Sequence, residues 1–434
     1  MTTVLALTDA PDDVERFCAN GEKVLLFRIA QLPTEQHDFA FFERQYRALT
    51  EQCDLSRVDL VVAEYVDSLP LLYFMRRDGY HCPALMIPHT NPYPLNILFY
   101  FLLVAAHPHP GDLVICGSTN AANAYRRLTG IPARNTCTFG IRNVYRRRDR
   151  AASRAALGLP ADRRVLLYTG RFMNDKGLGA LIEAYHLVRR ERPEALLVMS
   201  VTHVDPPYYN RLAPRLTDAV LFQRLDRAAT VDLYNAADLY WSGATSIFET
   251  YGKAPLEALA CGVPVVVPRW DGFPYFIGSH NGALAEVEPV EAGVSPYDFA
   301  RVRADDLAAK CLEVLDRTDG PEIALPAWGT YDHTMGVLAD LVGELAATGR
   351  TRTAPDPDRP LPVDRLPASV RAVLDHHGLR TTRDVVVDAQ RQGLVDRRSP
   401  GDPVLLRRLH DDVFGPMAAD PATVAAEAPR FVTT

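Results

Sequence analysis

The stretch that decides the fold runs from residue 249 to residue 266 and reads ETYGKAPLEALACGVPVV. Pro255 suits the first turn of a helix and Gly262 suits the end of one, so we predict a helix over 254–261. Glu249 then lies in the loop before this helix, and Glu257 projects from its first turns. Both carboxylates are therefore expected at one strand-to-helix crevice, which is where ligands of open parallel sheets bind.

Two carboxylates in such a crevice have a chemical use. One carboxylate accepts two hydrogen bonds from the diol of a ribose, and a second one can bind the hydroxyls of a sugar in the same way. Two glutamates at this spacing also occur as exposed residues at the start of a helix. The pair by itself leaves that second interpretation open.

A second cluster lies upstream, at Gly170-Arg171 and Lys176-Gly177. Gly170 ends a predicted strand and lets the backbone approach a ligand. Lys176 opens the next helix, whose N-terminus adds its partial positive charge to the two cationic side chains. Such a cluster suits a diphosphate, whose negative charge needs stabilisation when it departs as a leaving group. The alternative is a solvated pair of surface cations.

The chain as a whole alternates short apolar runs with amphipathic stretches, which is the pattern of βαβ units and parallel sheets. The predicted strands are 4–7, 23–27, 58–62, 84–87, 113–116, 164–170, 195–199, 238–241 and 263–267. Predicted helices include 41–50 and 121–128 in the first half. In the second half, one helix carries an apolar face made of Leu178, Leu181, Ile182, Tyr185 and Val188. We predict an α/β fold with two Rossmann-like domains, over 1–145 and 146–330.

The C-terminal part has a different composition. Residues 354–362 contain four prolines, and such a composition stiffens and extends a linker. We therefore predict a linker over 351–364 and a helical module with a tail over 365–434. Apolar residues of this module recur at helical spacing, namely Val370, Val373, Leu374, Val385, Val386, Val387, Leu405, Leu406 and Leu409.

Composition limits the partners and the compartment. The 434 residues carry a formal charge of -7 and no long basic run, so no nucleic-acid partner is expected. The seven cysteines are scattered without C-x-x-C spacing, which is typical of a reducing compartment and predicts a cytoplasmic protein. The N-terminus lacks the pattern of a signal peptide.

The most apolar run, 95–106, is shorter than the roughly 20 residues of a membrane-spanning helix. We expect it to be a buried core helix. A surface that makes weak contact with a membrane or a lipid-like acceptor is the alternative.

Residues 164–282 closely resemble the donor-binding domain of the family 4, or group 1, retaining glycosyltransferases. The resemblance rests on the Gly-Arg and Lys-Gly pairs, the Glu-x7-Glu motif, and the Leu-Glu-Ala and Gly-x-Pro-Val runs that follow in order. It implies the GT-B fold, in which two Rossmann-like domains face a cleft. It also implies transfer of a hexose from a nucleoside diphosphate sugar to an acceptor that the sequence does not identify. A looser similarity covers Ser118, Gly140 and a closing helix within 331–350 that returns to the N-terminal domain.

The resemblance also implies the roles of particular residues. Arg171 and Lys176 would bind the diphosphate, and Glu257 would accept the ribose hydroxyls. Glu249 and His89 would contact the donor sugar as catalytic residues, His89 from the first domain. Backbone amides would complete the donor site at Thr250, Tyr251 and Gly252. The nucleotide sugar is a co-substrate, and no other cofactor is expected.

No metal motif is present in the sequence. His107, His109, His376 and His377 lack a cysteine or carboxylate at ligand spacing, so we expect free surface histidines. The family resemblance likewise implies metal-independent transfer, in which cations and helix dipoles stabilise the leaving group. Because there is no well-placed nucleophile, the resemblance implies retention by same-face attack, with the departing phosphate as base.

Two departures from the family pattern concern the acceptor and the sugar. Residues 8–13, after the first strand, contain no glycine, whereas the family has a Gly-rich loop there. Tyr275 follows Gly272-Phe273-Pro274, where the family often has an acidic residue. The alternatives are a catalytically silent nucleotide-sugar-binding or scaffolding relative, or another GT-B enzyme such as an epimerase or phosphorylase. The Glu-x7-Glu motif argues against the last two.

Residues 366–405 of the C-terminal module resemble, more weakly, the helix-hairpin-helix carboxy-terminal domain of bacterial RNA polymerase alpha subunits. The residues that carry this resemblance are Leu366, Pro367, Leu374, Gly378, Leu379, Thr382, Gly401 and Leu405. Such modules can bind DNA. Because this one has about as many acids as bases, we favour a protein-docking or packing role.

Overall fold

The computed structural model describes residues 2–8, 21–29, 39–92, 95–136, 140–246, 248–290, 300–317, 322–394, 408, 411 and 412. The chain packs into two compact units. The first unit comprises Met1–Thr138 and Thr334–Pro416, and the second comprises Phe139–His333 and Met417–Thr434. The chain thus leaves the first unit and later returns to it.

The first unit contains a six-stranded parallel sheet in the order β2-β1-β3-β5-β6-β7. Its strands are β1 (Thr3–Thr8), β2 (Lys23–Arg28), β3 (Leu60–Glu64), β5 (Ala84–Ile87), β6 (Leu113–Cys116) and β7 (Ala133–Asn135), and a short β4 (Tyr80–His81) lies outside this sheet. The central strands are buried along nearly their whole length, which is why they are continuous apolar runs in the sequence. The order of the strands reverses between β1 and β3, so the carboxyl ends of these strands flank a switch point.

The helices of the first unit before the chain leaves it are α1 (Phe39–Gln52), α2 (Leu69–Arg77), α3 (Leu95–Ala106) and α4 (Thr119–Thr129). Residues 97–106 of α3 are each at most 5% exposed, which confirms the prediction of a buried core helix. These side chains are therefore not available to a membrane or to a lipid-like acceptor. Among the described residues, no helix is both long and apolar enough to span a bilayer.

The second unit contains another six-stranded parallel sheet, in the order β10-β9-β8-β11-β12-β13. Its strands are β8 (Arg164–Phe172), β9 (Ala195–Val204), β10 (Ala219–Gln223), β11 (Leu239–Trp241), β12 (Val265–Pro268) and β13 (Gly282–Ala285). A small antiparallel pair joins β14 (Val287–Pro289) to β15 (Ala300–Val302). The large sheet has the strand order of a dinucleotide-binding fold, with its switch point between β8 and β11.

The helices of the second unit are α5 (Arg150–Ala156), α6 (Leu178–Glu191), α7 (Pro206–Leu212), α8 (Arg227–Ala236), α9 (Lys253–Ala260) and α10 (Ala304–Leu315). The predicted apolar face of α6 is buried at all five positions. It joins a core with α10 and the central strands. Together the two sheets and their helices confirm an α/β fold with two Rossmann-like halves.

The described C-terminal segment belongs to the first unit from Thr334 onward. Its described elements are α11 (Tyr331–Ala346), β16 (Thr351–Arg352), α12 (Ala368–His376), α13 (Thr382–Asp384) and a π-helical turn (Val385–Ala389). Backbone hydrogen bonds attach the Pro-rich stretch, which we expected to be a linker, to the first unit. β16 pairs with β4, and the amide of Asp356 donates to the carbonyl of Arg77. Gln390 accepts a hydrogen bond at the start of α1, from the amide of Phe39. The predicted helical positions Leu405, Leu406 and Leu409 lie outside the described residues.

Candidate functional site

The first part of the site is built where β8 meets α6. We expected the strand to end at Gly170, but it continues to Phe172, with an irregularity in its register between these two residues. Arg171 is exposed at this irregularity. Gly177 then caps α6 with a left-handed φ of 61°. A side chain at Gly177 would collide with the backbone of Gly243, so glycine lets the start of α6 approach the segment after β11.

The two predicted cations are linked through acidic residues. Nζ of Lys176 lies 2.7 Å from Oε2 of Glu249 and 3.6 Å from Oδ2 of Asp175. Arg171 donates to the same Asp175 oxygen at 2.8 Å. Burial acts to lower the pKa of Lys176, but Glu249 and Asp175 outweigh it and raise that pKa above its usual range. Lys176 thus remains protonated at neutral pH. Sequence reasoning missed Asp175, whose signal is its position directly before Lys176.

A hydrogen bond from the segment after β12 stabilises the loop that carries Glu249. The indole of Trp270 donates to the carbonyl of Ser246, and the amide of Glu249 donates to the same carbonyl, each at 3.0 Å. Gly252 caps α9 with a left-handed φ of 79°. A side chain at Gly252 would collide with the ring of Phe273. The predicted helix therefore begins and ends one residue earlier than expected.

Thr250, Tyr251 and Gly252 lead directly into the N-terminus of α9, and all three are buried. The partial positive charge of a helix start lies beside this stretch. These three residues directly follow Glu249 in the chain. The assignment of their backbone amides to a ligand stays a prediction.

Glu257 lies in a cluster of tyrosine side chains that the sequence analysis did not anticipate. The hydroxyl of Tyr234 donates to Oε2 of Glu257 at 2.6 Å and lies 2.7 Å from Oγ1 of Thr169. Tyr145 forms a further hydrogen bond with the same carboxylate. Burial raises the pKa of Glu257, and the two tyrosine hydroxyls act in the opposite direction. Tyr234 lies on α8, outside the motifs identified in the sequence, so no sequence signal indicated this contact.

The two carboxylates also act on one buried side chain. Burial raises the pKa of Tyr240, in β11, and the negative charges of Glu249 and Glu257 raise it further. Glu257 is linked through the hydroxyl of Tyr234 to Thr169, near the end of β8. Glu249 is paired with Lys176, which follows β8 directly, so both carboxylates lie near the carboxyl end of this strand. This is the crevice in which both were predicted.

His89 belongs to the first unit. It follows β5, and its Nε2 lies 2.9 Å from Oε1 of Glu64, the last residue of β3. The ring of Tyr65 stacks on it with centroids 4.2 Å apart. Glu64 also accepts a hydrogen bond from the hydroxyl of Thr8. Sequence reasoning missed Glu64, although its position at a strand end matches that of His89. The glycine-free residues 9–13 lie outside the described residues.

The expectation of surface histidines is wrong for His107 and His109, which are both buried in the first unit. The loop after α3 folds inward, and Nδ1 of His109 accepts a hydrogen bond from the amide of Gly111. His376 is exposed, as expected. Within the part of the chain that the structure describes, no three His, Cys, Asp or Glu side chains are grouped so as to hold a metal ion.

A model of a known protein family matches part of the second unit. The family model described as "Glycosyl transferases group 1" matches residues 149–294, which contain Arg171, Lys176, Glu249 and Glu257. A protein named D-inositol 3-phosphate glycosyltransferase 2, from Catenulispora acidiphila, is 34% identical over 214 residues, which is 46% of this chain and 48% of that protein. The chain spans about half the length, or less, of the curated relatives that it matches.

Two solved structures resemble the chain over most of its length. Sucrose-phosphate synthase from Thermosynechococcus elongatus has a TM-score of 0.56 and 18% identity, covering 80% of this chain and 95% of that one. HepE from Anabaena, in complex with UDP and glucose, has a TM-score of 0.58 and 15% identity, covering 80% and 100%. At such identities the likeness shows the fold alone. The chain therefore has the GT-B fold, and its residues 149–294 match the group 1 glycosyl transferases.

Proposed function

We propose that this protein is a retaining, metal-independent glycosyltransferase that moves a hexose from a nucleoside diphosphate sugar to an acceptor hydroxyl. The observation that carries the proposal is the ion pair of Lys176 with Glu249 after β8, the strand to which Glu257 is linked through Tyr234. This cluster combines a protonated amine for a diphosphate with carboxylates for hydroxyl groups. It lies within the segment that matches the group 1 model.

The proposed donor site divides the work among these residues. Lys176 and Arg171 neutralise the diphosphate, and the N-termini of α6 and α9 add their partial positive charge. Glu257 accepts hydrogen bonds from the ribose diol, with its orientation held by Tyr234. Glu249 accepts hydrogen bonds from hydroxyls of the sugar. Backbone amides of 250–252 bind the remaining donor oxygens.

In the proposed reaction, the bond between the anomeric carbon and the diphosphate oxygen breaks while the acceptor oxygen attacks from the same face. The acceptor proton passes to the departing phosphate, so the products are a glycoside and a nucleoside diphosphate. The negative charge that develops on the phosphate is stabilised by the protonated Lys176 and by Arg171. This requires neither a metal ion nor a resident cofactor. His89 contacts the sugar.

The test is a panel of UDP-, GDP- and ADP-sugars, assayed for donor hydrolysis and transfer with and without a chelator. Because the Catenulispora relative is named for D-inositol 3-phosphate, that compound belongs in the acceptor panel. We expect one donor to be cleaved at the same rate in the chelator, with the anomeric configuration of the product equal to that of the donor by NMR. Loss of cleavage in the chelator would refute metal independence, and an inverted product would refute retention. Tight binding of a donor that is never cleaved would instead indicate a silent binder.

A further inference from the structure

The conformation around His89 is unusual. His89 and Tyr65 both have a positive φ, of 59° and 62° respectively. Residues with a side chain adopt such angles infrequently, and this strain persists where the surrounding structure enforces it, often at functional sites. The stacked rings of these two residues lie 25° from parallel. Strained residues thus follow the ends of two adjacent strands, and their side chains lie against each other.

Glu64, the last residue of β3, contacts residues at the ends of both neighbouring strands, β1 and β5. These contacts lie next to the switch point of the first sheet. Glu64 is 8% exposed, so its carboxyl group is largely removed from water. One oxygen contacts Nε2 of His89 at 2.9 Å, and the other accepts a hydrogen bond from the hydroxyl of Thr8 in the neighbouring strand β1. A carboxylate can only accept hydrogen bonds, so Nε2 of His89 is the donor.

We propose that Glu64 is a positioning residue that fixes His89 as the Nε2-protonated tautomer. In a neutral imidazole with a proton on Nε2, the other nitrogen, Nδ1, accepts hydrogen bonds. Under the proposed function, on which this part of the inference rests, the imidazole oriented in this way contacts the donor sugar. Glu64 then acts on the reaction only through His89.

The charge of Glu64 is what selects the tautomer. An amide at this position could present either its oxygen or its NH₂ group to the ring, so Glu64→Gln leaves the choice of tautomer unspecified. It retains the size of the side chain, and its oxygen or nitrogen can still pair with Thr8. The variant therefore separates the electrostatic role from simple packing.

The first test does not depend on catalysis. The full chain is labelled with ¹⁵N-histidine, and the signals of His89 among the 12 histidines are assigned by their loss in His89→Ala. We expect wild-type His89 to show a protonated Nε2 and an unprotonated Nδ1, and Glu64→Gln to populate both tautomers. The same single tautomer in wild type and Glu64→Gln would overturn the proposal, as would a protonated Nδ1 in the neutral wild-type ring.

The second test is a double-mutant cycle on donor hydrolysis. We expect Glu64→Gln to lower hydrolysis at least tenfold without changing nucleoside diphosphate affinity, and to have less than a twofold effect in the His89→Ala background. Glu51→Gln, an exposed carboxylate on α1, is the matched control. Multiplicative losses in the double variant would overturn action through His89. If the wild type cleaves no donor, the proposed function fails while the NMR result still tests the tautomer.

Discussion

Nζ of Lys176 lies 2.7 Å from Oε2 of Glu249, a residue 73 positions further along the chain. The two side chains are 15% and 18% exposed, so each is the main counter-charge of the other in a partly desolvated crevice. The close approach of Gly177 to Gly243 is what brings the two loops together. Under the proposed function, we therefore expect substitutions in this crevice to affect ligand binding through charge as well as through contact.

We expect Lys176→Met to weaken nucleoside diphosphate binding at least about tenfold, or about 1.4 kcal/mol. The substitution keeps the apolar stem but leaves Glu249 and Asp175 to repel the diphosphate. Isothermal titration calorimetry measures the change. Lys310→Met is the control, because Lys310 is ion-paired with Glu313 on α10. Equal affinities of Lys176→Met and wild type would remove Lys176 from the diphosphate site.

Substitution of each of the two carboxylates should weaken the binding of a different part of the donor. Glu257→Gln is expected to lower affinity for the nucleotide by roughly 1.5 to 3 kcal/mol, the range for hydrogen bonds to charged groups. Glu249→Gln should leave the bare nucleotide almost unaffected and weaken only the nucleotide sugar. Competition binding with both ligands measures the difference. The division of roles is contradicted if both variants lose the same affinity for the bare nucleotide.

The hydroxyl of Tyr234 should control the pH dependence of nucleotide binding. Burial raises the pKa of Glu257, and the hydrogen bond from Tyr234 opposes that rise. Binding that needs the ionised carboxylate is present above this pKa and is lost as the pH falls through it. Tyr234→Phe should therefore move the loss of affinity to a higher pH, as measured by titrations across pH. Tyr209→Phe is the control, and an unchanged profile in Tyr234→Phe would argue against the prediction.

Stability should fall in mild acid because of two buried histidines in the first unit. Burial, with help from Arg76 and Arg359, lowers the pKa of His81 and of His107 to about 4. The unfolded chain binds these protons near pH 6.5 and the folded chain near pH 4, so stability is present above pH 6.5 and declines between the two values. The slope is up to about 1.4 kcal/mol per pH unit for each histidine.

Replacement of His107 isolates this effect. Neither ring nitrogen of His107 has a hydrogen-bond partner among the described residues. We expect His107→Leu to flatten the decline and to unfold at a higher temperature than wild type at pH 5. The exposed His376→Ala should follow wild type. Thermal melts between pH 5 and pH 8 measure both, and an unchanged slope in His107→Leu would show that its protonation does not drive the loss.

The C-terminal segment should unfold together with the first unit. Leu374 on α12 is 1% exposed, and Leu374→Ala is expected to cost about 2 to 5 kcal/mol. Because the segment is tied to β4 and to α1, we expect the first-unit transition itself to move in calorimetry. The exposed Arg371→Ala is the control. A separate low-temperature transition that alone responds to Leu374→Ala would indicate an independent module.

Much of the architecture could be read from local patterns. Strands such as 84–87 and 113–116 were predicted at their observed bounds, because both faces of a parallel strand are buried and the whole run is apolar. Within the two six-stranded sheets, the missed strands β7, β10 and β13 lie at sheet edges, where short or partly exposed segments carry a weak pattern. The resemblance of the C-terminal segment to an RNA polymerase module stays a prediction.

By itself, the sequence determined the alternation of strands and helices, the glycines at the starts of α6 and α9, and the two carboxylates before and within α9. These follow from spacing within a few residues of one another. Only the tertiary structure decided that Glu64 contacts His89 and that Tyr234 contacts Glu257. The physical reason is that parallel strands bring their carboxyl ends together from distant parts of the chain, and no local pattern records which side chains then meet.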